Sequence, residues 1–460
     1  MQSVERSSIM DLTETLCRFQ TGVVAADNSL LFECLSRELP FRLCRYPSGA
    51  TFNGWVIPQN WRVERALLIK DGRIVFDGTA HPFGVAAYSR SFHGELAFEE
   101  LQRHLVTKPD LPDAYVYHCM WLYRPWAADW AFSMPYRIYK TLTPGWYRVE
   151  LTTCYEPGEM LVADYEHRGT LESTIVFNCH TCHPHMANDA FAGVALLVRL
   201  FQWLGRKKTR YTYRLVLGPE HLGTVFYLRD RDTHEIDRFI GGVFVEMPGT
   251  CGPLKLASSF LGGLPIDRAL QHAMRHYSTG YVLVPWRKGA GNDETVWEAP
   301  GYEVPFCELT WCMDQFAPYP EYHTSLDMPD SLDVAHVDET FLVLQKTIEI
   351  FENNAAVIRT FDGLVCLSNP VFDLYYERPD PAVRKDLPDD GEKWGHLLDC
   401  LFRYLDGSQT VLDIADKHDL PFDRVYAYIQ RLAAKGLVRL EYQRINRIPV
   451  SQIAGGECAA

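Results

Sequence analysis

Between residues 145 and 350 the chain alternates short apolar runs with longer stretches of helical periodicity. Thr174-Ile175-Val176-Phe177, Tyr213-Arg214-Leu215-Val216-Leu217 and Gly242-Val243-Phe244-Val245 have the length and the β-branched or aromatic character of buried strands. Residues 192–204 and 223–229 read as helices between them. This order predicts an α/β domain whose sheet is covered on both faces. Upstream, Leu12, Leu16, Phe19 and Val23 recur at helical spacing, so residues 10–40 are predicted helical. From 46 to 112 the texture changes to aromatics, turn residues and short runs such as Trp55-Val56-Ile57, Ala66-Leu67-Leu68-Ile69 and Arg73-Ile74-Val75-Phe76, which predicts a small β-rich insertion. Beyond 361, helices at 397–405, 411–418 and 422–435 followed by Leu437-Val438-Arg439-Leu440 have the layout of a winged helix. The expected division is a main α/β domain at 1–45 and 113–360, an insertion at 46–112, and a winged helix at 361–445.

Composition changes this picture little. At 460 residues, two or three domains are expected. A hydrophobic fraction of 47% with 23% charged residues is ordinary for a folded protein. The formal net charge of −14 argues against nucleic-acid binding by the molecule as a whole, because phosphate contacts need clustered Lys and Arg. Glu5, Arg6, Asp11 and Glu14 interrupt any apolar signal region at the start, and no stretch is long and uncharged enough to span a bilayer. The expectation is therefore a cytoplasmic protein without membrane segments. Its 13 cysteines, an odd number, fit reduced thiols better than a disulfide framework.

Candidate chemistry lies where the predicted strands end, which is where open α/β sheets form their sites. Cys179-His180-Thr181-Cys182-His183-Pro184 is followed by Asn188-Asp189, giving imidazole nitrogens and an anionic oxygen of the kind a divalent metal needs. The same run matches two other patterns. Cys179-x-x-Cys182-His183 has the form of a c-type haem attachment, which belongs to exported proteins, and the two cysteines alone resemble half of a zinc finger lacking its second pair. Leu217-Gly218-Pro219-Glu220-His221 places a carboxylate and an imidazole at the next strand end, and Val245-Glu246-Met247 does so one strand later. Tyr322-His323-Thr324-Ser325-Leu326-Asp327 adds an imidazole, with a carboxylate spaced to orient its second ring nitrogen.

In this order, His, Asp, Pro-Glu, Glu and Tyr-His-Thr-x-x-Asp, the chain resembles the zinc-dependent aminopeptidase clan that includes bacterial leucyl aminopeptidases and glutamate carboxypeptidase. It is most similar to the branch described as polysaccharide-biosynthesis proteins with an aminopeptidase-like domain. That branch shares the clustered His-x-Cys-His-Pro, the Tyr-His-Thr-Ser-x-Asp, a small β insertion and a C-terminal winged helix, and Gly291-Asn292-Asp293-Glu294 resembles its Ser-Asp-Glu segment. The resemblance implies an α/β fold with a mixed, aminopeptidase-like sheet and one or two zinc ions. It further implies that Asp189 bridges the metals, that Glu220 is the general base, that His323 ligates one ion and Glu246 the other, and that His180 or His183 supplies the remaining nitrogen.

Departures from the clan matter too. Where the clan has two consecutive acids, this chain has Glu220-His221, so either His221 replaces a carboxylate ligand or only one metal binds. The expected function is a metallo-aminopeptidase-like hydrolase acting on a small molecule or short peptide in polysaccharide or secondary-metabolite biosynthesis. Asp293, Glu294, Trp311, Phe316 and Tyr322 are candidates to receive a substrate amine. The competing expectation is a degenerate peptidase fold that binds or regulates, with helix 422–435 carrying Arg424, Arg431 and Lys435 toward DNA or protein. DNA is the less favoured partner, and self-association is left open.

Overall fold

The computed structural model describes residues 2–119, 121–375, 390–442 and 444–447. Eight strands form the central sheet: β1 (Arg42–Pro47), β2 (Glu159–His167), β3 (Thr174–His180), β4 (Thr212–Gly218), β5 (Phe239–Glu246), β6 (Leu254–Ala257), β7 (Tyr281–Val284) and β8 (Phe306–Trp311). Their order is β1-β2-β4-β3-β5-β8-β6-β7. The four middle strands, β4, β3, β5 and β8, are mutually parallel, whereas β1 and β2 join one side and β6 the other in antiparallel fashion. Every residue of β3, β4, β5 and β8 is buried. That explains why they read as continuous apolar runs rather than as alternating ones.

Helices cover both faces, as the alternation predicts. On one side Gln2–Leu16, Asp27–Glu38, Ala192–Leu204, Pro265–Tyr277 and Val334–Asn353 enclose a core that includes Leu31, Phe177, Leu197 and Leu344. On the other, Leu222–Arg229 packs its Phe226 with Tyr46, Phe244 and Trp297. Burying side chains of this size stabilises the fold by roughly 1.5–3 kcal/mol each. Gly193 lets Ala192–Leu204 start hard against the sheet: a β-carbon there would lie 3.0 Å from both Cys179 Sγ and the Val245 carbonyl oxygen. The N-terminal helical region is two helices rather than one, because Asn28 turns back to bond the backbone of Gly22 at both its amide and its carbonyl.

A separate four-stranded antiparallel sheet is formed by Arg73–Asp77, Asn60–Lys70, Trp146–Glu156 and Phe92–Ala97, in that order. It reaches past the 46–112 span, since Trp146–Glu156 buries Tyr147, Val149 and Leu151 against Ala66 and Leu68. At the C-terminal end, helices Gly391–Tyr404, Val411–His418 and Phe422–Ala434 accompany a three-stranded antiparallel sheet that takes its central strand, Ala356–Arg359, from before residue 361. Within 361–445, residues 376–389 and 443 lie outside the described residues.

This C-terminal unit shares the core of the main domain, and charged pairs clamp it there. Asp416 accepts from the buried His272 ring at 2.6 Å and from Arg268 at 3.0 Å, and Asp423 accepts from Tyr277 at 2.6 Å and Lys346 at 2.8 Å. Burial, the largest single influence on Asp416, pushes its pKa up, but His272 and Arg268 together hold it below the ordinary carboxylate value. A depressed folded-state pKa means stability that is full above the unfolded value of about 3.9 and lost as pH falls through the lower folded value. Asp416→Ala is expected to cost about 2 kcal/mol at pH 7, and less as the pH drops below about 4. Urea unfolding of both proteins across that range checks it, and a pH-independent difference would remove the ionic explanation.

Candidate metal centre

The parallel order of β4, β3 and β5 brings their carboxyl ends side by side. His180 is the last residue of β3 and pairs in register with Gly218 at the end of β4, while Glu246 ends β5. The loop after β3 then carries His183 and Asp189 back over these ends. Asp189 Oδ1 lies 2.9 Å from His180 Nε2 and 3.1 Å from His183 Nδ1, and its Oδ2 lies 3.2 Å from His323 Nε2. Glu246 Oε2 is 3.5 Å from His180 Nε2, and Glu220 Oε2 is 3.6 Å from His183 Nε2. The sequence left His180 and His183 as alternatives, and both rings point into the site.

These side chains fit a cation. His180, His183, Asp189 and Glu246 are almost wholly buried. His183 Nε2 and Glu246 Oε1 are buried without a hydrogen-bond partner, and His180 Nε2, Asp189 Oδ2 and His323 Nε2, though close to one another's groups, are not aligned for a hydrogen bond. Orphaned polar atoms converging on one region call for an ion. The electrostatics agree. Burial, the largest influence on each ring, lowers the pKa of His183 and His323, yet both rise to about 9. Asp189 and Cys182 outweigh burial at His183, and Cys119 and Asp189 do so at His323. The site's field therefore favours positive charge. Imidazole and carboxylate together are a donor set suited to zinc.

Glu220 stands beside this cluster. Burial alone would raise its pKa, but the neighbouring His221, His183 and His180 rings and a hydrogen bond from the Tyr123 hydroxyl at 2.7 Å hold it below the ordinary value. His221 is not drawn into the converging group. Its backbone N–H donates to Asp293 Oδ1 at 2.5 Å, its Nδ1 lies 3.4 Å from the same oxygen, and its ring faces Trp55 and Tyr123.

Several second-sphere roles differ from those the spacing suggests. Asp327 does not orient His323. Its two oxygens accept the backbone N–H groups of Asn188 at 2.8 Å and Asp189 at 3.1 Å and the Tyr319 hydroxyl at 2.8 Å, which fixes the carboxylate loop instead. Asp293 and Glu294 are buried. Asp293 holds the turn after β4 through His221 and Thr224, and Glu294 pairs with Arg287 at 3.1 Å and the Asn292 N–H at 2.7 Å, so neither faces a substrate amine. Trp311 is buried against His336, Tyr322 stacks on His323, and Phe316 is exposed. The Asn292 amide, in turn, donates to Glu246 Oε2 at 3.0 Å. Cys179 belongs to the core on one face of the sheet and Cys182 to the core on the other, so the two thiols do not address a common haem or metal.

Sequence reasoning missed Tyr123 and Cys119, which approach from a distant aromatic-rich segment. The one available signal was the density of Tyr, Trp, His and Cys between 115 and 126. Among the described residues, no helix is long and apolar enough to cross a membrane.

Comparison with known proteins bears out the resemblance read from the motifs. A Clostridium acetobutylicum protein, provisionally named a polysaccharide biosynthesis protein with an aminopeptidase-like domain, is 26% identical over 434 residues, 94% of each chain. A solved structure from the same organism, provisionally described as a peptidase, superposes with a TM-score of 0.78 at 23% identity over 95% of this chain and 97% of that one. The zinc aminopeptidase of Bacillus subtilis superposes with a TM-score of 0.56 at 12% identity, over 76% of this chain and 94% of that one. These likenesses establish an aminopeptidase-like mixed α/β fold. Residues 10–354 match the family described as a domain of unknown function, DUF4910, and the chain belongs to that family.

Proposed function

We propose that this protein is a zinc-dependent amide hydrolase of aminopeptidase type with Glu220 as its general base. The observation that carries the reading is the convergence of His180, His183, Asp189, Glu246 and His323 on one buried region with an ionised Glu220 at its edge. In this reading His180, Asp189 and Glu246 would hold one zinc, and Asp189, His183 and His323 would hold a second.

Bound zinc would polarise the amide carbonyl and make the attacking water more acidic. The rest is done by the chain. Glu220 takes the proton from the attacking water and returns it to the leaving amine. Tyr123 holds Oε2 of Glu220, and Oε1, 4.0 Å from His221 Nε2, is the oxygen that takes that proton. Trp55 and Tyr123 wall the side next to His221. The substrate is a small molecule or short peptide bearing an amide, and the name of the Clostridium relative supports polysaccharide assembly as its setting.

The regulatory alternative gains no support from the C-terminal unit, which we read as a winged helix docked on its own chain. Arg424 pairs with Asp390, Arg431 donates to the Asp373 carbonyl at 3.1 Å, and Lys435 donates to the Val371 carbonyl at 3.0 Å, so both Arg residues of helix Phe422–Ala434 and the Lys that caps it are engaged internally.

Elemental analysis of the purified chain should find zinc approaching two ions per molecule, with most of it lost in Asp189→Ala because that carboxylate serves both positions. No zinc after reconstitution would overturn the reading.

A further inference from the structure

The metal position built on His183 and His323 has an unusual neighbour, and it arrives from outside the parallel core. The extended segment around Val116 is stapled antiparallel to the turn that bears His323. Val116 and Thr324 form an isolated bridge, the Tyr117 N–H donates to the His323 carbonyl at 2.8 Å, and the Ser325 N–H donates to the Tyr115 carbonyl at 2.9 Å. The Ser325 hydroxyl oxygen in turn accepts the Tyr115 N–H at 3.0 Å. The Tyr117 ring then packs edge-on against both His183 and His323, with centroids 5.4 and 5.6 Å apart. Two residues further on, Cys119 comes to rest with its sulfur 3.8 Å from His323 Nδ1.

Cys119 Sγ, one ring nitrogen of His183 and one of His323 all lie within 4.8 Å of one another. His183 is only 3% exposed, and its Nε2 is buried without a partner. His323 Nε2 is likewise unpartnered and faces Asp189 Oδ2. Charge supplies the reason for a sulfur here. A divalent ion held by two neutral imidazoles and by a carboxylate shared with a second ion is short of anionic donors, and His221 turns away to Asp293. A thiolate provides that charge and is a preferred ligand of zinc.

We propose that Cys119 ligates the metal held by His183, Asp189 and His323, making that position a mixed nitrogen, oxygen and sulfur site. This rests on the metal-hydrolase reading above. It predicts that the position discriminates toward thiophilic ions such as zinc and cobalt over magnesium and manganese.

The test is the absorption spectrum of the full-length protein loaded with cobalt(II). The wild type should show visible ligand-field bands together with a near-ultraviolet thiolate-to-cobalt charge-transfer band, and Cys119→Ser should lose the charge-transfer band while keeping ligand-field absorption. Ligand-field bands without charge transfer in the wild type would overturn the thiolate and leave the metal site standing. A charge-transfer band that survives Cys119→Ser would also overturn it and point to Cys182, whose sulfur accepts the Glu220 N–H at 3.3 Å and lies with His183 and Glu220 in a neighbouring group. Absence of any cobalt absorption would overturn the metal-hydrolase reading and this proposal with it. A second measurement needs no variant: zinc should slow alkylation of Cys119 by iodoacetamide in the wild type, read by peptide mass mapping, and an unchanged rate would count against ligation.

Discussion

Glu220→Gln is expected to lower the turnover of amide hydrolysis by about a hundredfold to ten-thousandfold while zinc content stays at the wild-type level. The magnitude is that of positioned general-base catalysis, and the geometry says why so conservative a change should have so large an effect. Glutamine keeps the size of the side chain and can still meet the Tyr123 hydroxyl, but it cannot take a proton. Glu220 meets the converging ligand candidates at His183, 3.6 Å away, without being one of the groups that crowd Asp189, so its replacement should leave zinc binding intact. Turnover of aminoacyl anilides by the two proteins, with metal content measured on the same samples, provides the comparison. An undiminished rate in the variant would rule Glu220 out as the base.

The part of the site that the sequence makes visible is the part built by parallel strands. His180 and Glu246 are legible because a strand buried on both faces reads as an apolar run, and the first polar residues after such a run sit at its carboxyl end. His183, Asp189 and Glu220 follow within a few residues of those ends, so local reading reaches them as well. What local reading cannot reach is contact made across the chain. Cys119 is brought to His323 by a two-strand staple joining segments 204 residues apart, and Tyr123 reaches Glu220 across 97 residues. No periodicity near either residue encodes those meetings. His221 is a different case: its position after Glu220 suggests either a ligand or a site for one metal, and a positive φ of 54° at the start of Leu222–Arg229 carries its ring toward Asp293 and Trp55. The four-stranded sheet is similar in kind. Its runs at 66–69 and 73–76 are locally evident, but the strand Trp146–Glu156 that completes it lies beyond a long irregular stretch.

Asp327 is where the largest structural penalty is expected. Tyr-His-Thr-Ser-x-Asp looks like an imidazole with its orienting carboxylate, but the turn folds Asp327 back beneath the Asn188-Asp189 loop, where it accepts two backbone N–H groups and the Tyr319 hydroxyl while 1% exposed. Asp327→Ala leaves three donors buried and unpaired. At about 1–3 kcal/mol for each orphaned group, partly relieved by relaxation or by water entering the space, the expected loss of folding stability is about 3–5 kcal/mol. Asp327→Asn keeps one carbonyl acceptor and turns its NH₂ toward groups that are themselves donors, so it should fall between Ala and wild type. Because the lost bonds hold Asp189 in place, zinc affinity should drop about 10–100-fold in whichever variant folds, as is typical when an outer-shell partner is removed. Denaturant unfolding of the zinc-free proteins separates the first effect from the second, and competition with a chromogenic chelator measures the second. A variant that lost stability yet bound zinc as tightly as the wild type would make Asp327 a support of the loop and not of the metal. Unchanged stability in Asp327→Ala would mean that the three donors find other partners and that the carboxylate does not hold the loop.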